Sequence, residues 1–108
     1  MKKSIELKRE HHAILAEAFK EGMRIAKKAG LNMGDMRRWE FRNNRNAYDI
    51  SGGYQFPCAF AEPLRSAKWH AFAAAIMFVT EGVSSAGAEM RNARYSMRNA
   101  VAGGLVAI

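Results

Sequence analysis

The sequence has a single cysteine, Cys58, in 108 residues, which excludes an internal disulfide framework. One thiol suits a reducing compartment, and the charged first ten residues lack the apolar segment of a secretory signal, so we expect a cytoplasmic protein. Only two prolines occur and 49% of the residues are hydrophobic, which indicates a folded chain. At this length we expect one domain over residues 1–108.

Catalytic and metal-binding motifs are also lacking in the sequence. It contains no glycine-rich phosphate loop, nucleophile elbow or zinc motif. His11 and His12 are neighbours that would point about 100° apart on a helix, and His70 has no cysteine or carboxylate at ligand spacing, so core or interface histidines are expected. Nothing in the sequence brings Asp49 and Glu62 together. We therefore expect a non-enzymatic protein with no catalytic residues, metal or cofactor.

Long hydrophobic runs are absent too, although one segment is apolar almost all the way round a helix. Trp69–Val79 has eleven residues, too few to cross a bilayer, so no membrane partner is expected. Pro63 suits the first turn of a helix and Gly82 its end. This pattern predicts a central core helix from Pro63 to about Glu81.

Two further helices are predicted from apolar spacing at three- and four-residue steps. The first has Ser4 as its cap and runs toward Ala29, and Gly22 either interrupts it or lies within a straight helix. The last begins at a cap formed by Ser84 or Ser85 and continues to about Ala102, before two glycines.

Residues 46–62 are rich in aromatic side chains and contain the turn-forming pair Gly52 and Gly53. A small β-hairpin is one interpretation of this segment, and an ordered loop packed on the helices is the other. The loop is favoured. The expected fold is therefore mainly α, a compact bundle of about four helices with an aromatic, glycine-containing loop over about 46–62.

Positive charge is concentrated in one part of the chain. The net charge is +7, and residues 24–45 contain seven basic residues against two acidic ones, a net charge of +5. A field of this kind attracts phosphate backbones, and equally an acidic protein surface. In the last helix, Arg91, Arg94 and Arg98 form a second basic line at helical spacing, which is either a rival binding surface or a merely solvated face.

Between Gly22 and Phe41 the sequence predicts two short helices joined at Gly30, the second beginning near Met33 with Asn32 as its cap. Asp35, three residues after that cap, makes a variant of the capping box.

Three residues of this segment follow a recognisable spacing. Ala26 is small, Gly30 comes four residues later, and Met36 stands six residues after Gly30, at a place for an aliphatic residue. This segment resembles the helix-turn-helix family of DNA-binding domains, in which Ile25, Ala29, Leu31 and Trp39 would fill the other buried positions. The resemblance implies that Asn32, Met33, Gly34, Arg37 and Arg38 face the major groove. An ordinary helical hairpin with a solvated basic face satisfies the same pattern.

Two functions follow as alternatives. The first is a small DNA-binding regulator, with DNA favoured over RNA and a homodimer expected because paired half-sites add affinity. The second is a protein-binding inhibitor or adaptor of the kind that phages carry, an associational comparison. The candidate binding residues for either partner are Lys27, Lys28, Asn32, Met33, Arg37, Arg38, Arg42, Arg45, Arg91, Arg94 and Arg98.

Overall fold

In the computed structural model, residues 5–36 and 63–106 are described, and within these ranges the chain forms helices and no β-strand. The helices are α1 (Arg9–Lys28), α2 (Pro63–Thr80) and α3 (Val83–Ala102). The prediction of a mainly α protein is confirmed. The radius of gyration, 13.7 Å, is near the value of about 13 Å for a compact domain of this length. The loop expected at 46–62 lies outside the described residues.

Helix α2 lies between the other two helices, as its apolar sequence predicts. The seven consecutive residues Ala71–Met77 are buried. Both α1 and α3 pack extensively against α2, whereas they make few contacts with each other. The predicted bounds of α2 are confirmed to within one residue, since it begins at Pro63 and ends at Thr80.

Helices α1 and α2 run in the same general direction. Leu15, in the first half of α1, shares a core cluster with Ala67 near the start of α2. Ile25, near the end of α1, packs with Ile76 near the end of α2. Helix α3 follows α2 after the two-residue link 81–82 and runs back along it, so that α2 and α3 form an antiparallel hairpin.

Gly22 lies within an uninterrupted α1, at a point of close contact with α2. A Cβ atom at this position would lie 2.5 Å from the carbonyl oxygen of Phe72 and 2.7 Å from the Cβ of Ala75. No Cβ atom can lie this close to other atoms, so the two helices can approach to this distance only because residue 22 is glycine. Of the two alternatives for Gly22, the structure has the continuous helix.

The beginnings of two helices differ from their predictions. Residues 5–8 are not helical and Lys8 is the N-cap of α1, where its backbone N–H donates to Nδ1 of His11 at 3.0 Å. The start predicted at Ser4 is therefore wrong. Helix α3 has Gly82 as its N-cap, and Ser84 lies inside the first turn, so the predicted serine cap is also wrong. The predicted end of α3 at Ala102 is confirmed.

Candidate binding surfaces

The turn that follows α1 has the geometry expected at Gly30. Gly30 has a φ of 69° and its N–H donates to the carbonyl of Lys27 at 3.1 Å. The N–H of Leu31 donates to the carbonyl of Ala26 at 3.0 Å, and the Leu31 side chain is buried. This pair of bonds is the Schellman motif, in which a left-handed glycine satisfies the last helical carbonyls.

The helix predicted to begin near Met33 does not begin there. Residues 33–36 form turns, and Gly34 has a φ of 83°, which is incompatible with a right-handed helix. The N–H of Asp35 donates to the carbonyl of Asn32 at 3.0 Å, so the pair predicted to cap a helix closes a turn. The same short polar side chains favour both structures.

Of the described residues that the helix-turn-helix pattern places in the core, Ile25, Ala26 and Leu31 are buried, Ala29 is half-buried and Met36 is exposed. Ile25 and Ala26 are 3% and 0% exposed, but Met36 is 66% exposed. The burial expected for Met36 is therefore wrong. Asn32 and Met33, predicted to contact a partner, are exposed.

Only part of the predicted basic segment lies among the described residues. Lys27 and Lys28 are exposed in the last turn of α1. Arg24 binds Glu21, with Nε 3.0 Å from Oε2. This hydrogen bond holds the pKa of Glu21 below its usual value and raises that of Arg24. The predicted binding residues Arg37, Arg38, Arg42 and Arg45 lie outside the described ranges.

The second basic line lies on the outer side of α3. Arg91, Arg94 and Arg98 follow at steps of three and four residues, so they share one side of the helix over about 10 Å of its length. Arg91 is exposed, and the other two are half-buried. Nε of Arg98 donates to the carbonyl oxygen of Ile5 at 3.2 Å. Within residues 5–36 and 63–106, neither Arg91 nor Arg94 forms an ion pair.

Glu89 is the only acidic residue of α3, and it faces inward. Its Oε2 lies 2.8 Å from Nδ1 of His70 on α2, and the two side chains are 10% and 18% exposed. Two turns away, the buried hydroxyl oxygens of Ser66 and Ser96 are 3.1 Å apart. These contacts leave the arginine side of α3 without an acidic residue of its own helix.

Sequence reasoning missed the His70–Glu89 pair, whose members are 19 residues apart. A signal for the inward position of Glu89 was nevertheless present. Glu89 stands three residues after Ala86 and four before Ala93, in step with the buried residues of α3. A carboxylate at such a position needs a partner on the neighbouring helix.

Among the described residues, Lys27 and Lys28 lie far from the C-terminal part of the arginine line of α3. Arg98 contacts Ile5, just before the start of α1, whereas Lys27 and Lys28 lie in its last turn. Twenty helical residues separate these points by about 30 Å. Within the described residues, Lys27 and Lys28 at the end of α1 and Arg98 on α3 therefore belong to separate candidate surfaces.

No group of three or more His, Cys, Asp or Glu side chains among the described residues is arranged to hold a metal ion. In the same part of the chain, no helix is both long enough and apolar enough to cross a membrane. Comparison with known proteins gives no match, whether with family models, curated proteins or solved structures.

Proposed function

We propose that this protein binds nucleic acid in the cytoplasm without catalysing a reaction, and that the outer side of α3 is a binding surface. The distribution of charge on α3 supports this function. Arg91, Arg94 and Arg98 occupy one side of the helix, while its only carboxylate, Glu89, is turned inward onto His70. A cationic side chain binds phosphate best when no carboxylate nearby competes with the phosphate for it.

The end of α1 is a second proposed binding surface, separate from that of α3. Lys27 and Lys28 are exposed there, and Arg37, Arg38, Arg42 and Arg45 follow in the sequence. The resemblance to helix-turn-helix domains favours DNA over RNA. A homodimer would present this surface to two half-sites.

The salt dependence of binding tests this function. Fluorescence anisotropy with a labelled duplex of about 20 base pairs measures affinity at several salt concentrations. Arg91→Ala and Arg94→Ala are each expected to reduce the slope of log affinity against log salt by about 0.9. Arg24→Ala is the matched control, because it removes the same charge from a residue that Glu21 already neutralises. Absence of binding to duplex and single strand at low salt would overturn the proposal.

A second candidate function, a protein-binding inhibitor or adaptor, is supported by exposed apolar side chains at one end of the bundle. Met33, Met36 and Val83 are 66%, 66% and 74% exposed. The N–H of Gly34 donates to the carbonyl of Thr80 at 2.8 Å, which places the turn beside the junction that leads into α3. Exposed methionines are typical of adaptable protein-binding surfaces.

A pull-down with and without nuclease separates the two functions. A stoichiometric protein partner that remains after nuclease treatment, and is lost in a Met33→Ser/Met36→Ser variant, would support the adaptor. Loss of all partners on nuclease treatment would support nucleic-acid binding.

A further inference from the structure

The outer side of α3 carries an exposed tyrosine between two different rows of polar side chains. Tyr95 is 67% exposed. At about 100° per residue, Arg91 and Arg98 lie to one side of Tyr95, and Asn92 and Asn99 lie to the other. All four are within one turn of it. The helix therefore presents a row of cations, an aromatic ring and a row of amides, side by side.

The Tyr95 ring has no polar or aromatic partner within the described ranges. Tyr95 forms no hydrogen bond and no ring contact among the described residues, in contrast to the edge-to-face pair Phe19–Phe78 and the stacked pair Trp69–Phe72. An aromatic ring of this size that is exposed to water is available for contact with a binding partner.

We infer that Tyr95 stacks on an unpaired base, so that α3 binds single-stranded nucleic acid in preference to duplex. This inference rests on the nucleic-acid binding proposed above and specifies which form is bound. In a single strand, the phosphates would lie along Arg91 and Arg98, one base would stack on Tyr95, and the amides of Asn92 and Asn99 would bond to base edges.

Two other occupants fit this surface less well. In a duplex the faces of the bases are covered by their neighbours, so the ring would gain no stacking contact and only the arginines would bind. A second copy of α3 would bring two rows of arginine together, and repulsion between like charges opposes that contact.

The experiment compares the affinities of an unstructured oligothymidylate of about 20 nucleotides and a duplex of equal length, both labelled for anisotropy. Tyr95→Ala is expected to lower single-strand affinity by about 5- to 100-fold and to change duplex affinity by less than about two-fold. Tyr95→Phe, which keeps the ring, is the matched control and is expected to bind like the wild type. Circular dichroism verifies that each variant remains helical.

The inference and the proposed function fail in different ways. An unchanged single-strand affinity in Tyr95→Ala, or an equal loss of duplex affinity, would overturn the inference and leave nucleic-acid binding intact. Absence of binding to both probes would overturn both.

Discussion

The imidazole of His70 and the carboxylate of Glu89 are 2.8 Å apart across the interface between α2 and α3. This pair joins two helices and also removes the only acidic group of α3 from the side that carries its arginines. One contact thus contributes both to packing and to the electrostatic character of the proposed binding surface. Its two effects can be measured separately.

Replacement of Glu89 is expected to destabilise the fold. Glu89→Ala removes the acceptor of a partly buried hydrogen bond to His70, and we expect a loss of about 1–2 kcal/mol in the free energy of unfolding. Urea denaturation followed by circular dichroism measures it. In a double-mutant cycle with His70→Ala, the two losses should not be additive, because both variants break the same bond. Strictly additive losses would show that the pair does not couple the helices.

Gly22 is expected to tolerate no side chain. In Gly22→Ala the new methyl group would meet the Phe72 carbonyl oxygen and the Ala75 Cβ at 2.5 and 2.7 Å, so α1 and α2 must separate. We expect a loss of about 1–3 kcal/mol, which exceeds the gain of about 1 kcal/mol in helix propensity. Thermal unfolding measures the change.

Gly87 provides the matched control for Gly22. It also lies inside a helix, but a Cβ atom added there would have Nη1 of Arg91 as its nearest neighbour, at an ordinary contact distance of 3.9 Å. Gly87→Ala is therefore expected to stabilise the protein by about 0.5–1 kcal/mol. Equal effects at Gly22 and Gly87 would contradict the close approach of α1 and α2.

The Glu21–Arg24 pair is expected to contribute little to the stability of the fold, and this contribution is expected to be lost in acid. The hydrogen bond lowers the pKa of Glu21 in the folded protein. The stability that the pair adds is therefore fully present above pH 4.5, the usual pKa of this group, and is lost as pH falls through the lower pKa of Glu21 in the fold. Both groups are solvated, so water and salt screen the pair. Glu21→Gln should leave the unfolding midpoint at neutral pH unchanged within error. It should also make this midpoint decrease slightly less steeply as the pH is lowered. A large drop at neutral pH would contradict this assignment.

The helix-turn-helix proposal predicts unequal roles for the arginines after Met36. If Arg37 and Arg38 contact base edges, their replacement by alanine should reduce the preference for a selected duplex over a scrambled one. Arg45→Ala should weaken binding to both duplexes alike, as expected for a phosphate contact. Competition binding with the two duplexes measures the ratio. Identical behaviour of all three variants would favour non-specific binding.

The sequence predicted helices well where backbone chemistry alone determines a boundary. Pro63 marks the start of α2, and Gly104, with a φ of 75°, closes the turn that ends α3, because proline and glycine act through their own φ preferences. The helix start predicted near Met33 was wrong, because Asn32 and Asp35 favour a helix cap and a turn equally. Burial of Glu89 depends on a partner in another helix, which local spacing does not identify.

The two-residue link at 81–82 also has a consequence for the order of folding. Helices α2 and α3 meet after closure of a very short loop, so their pairing costs little chain entropy, whereas α1 must find α2 from a distant part of the chain. We expect the hairpin to be structured in the folding transition state and α1 to dock later. Substitutions at Glu89 would then slow folding, and those at Gly22 would mainly accelerate unfolding.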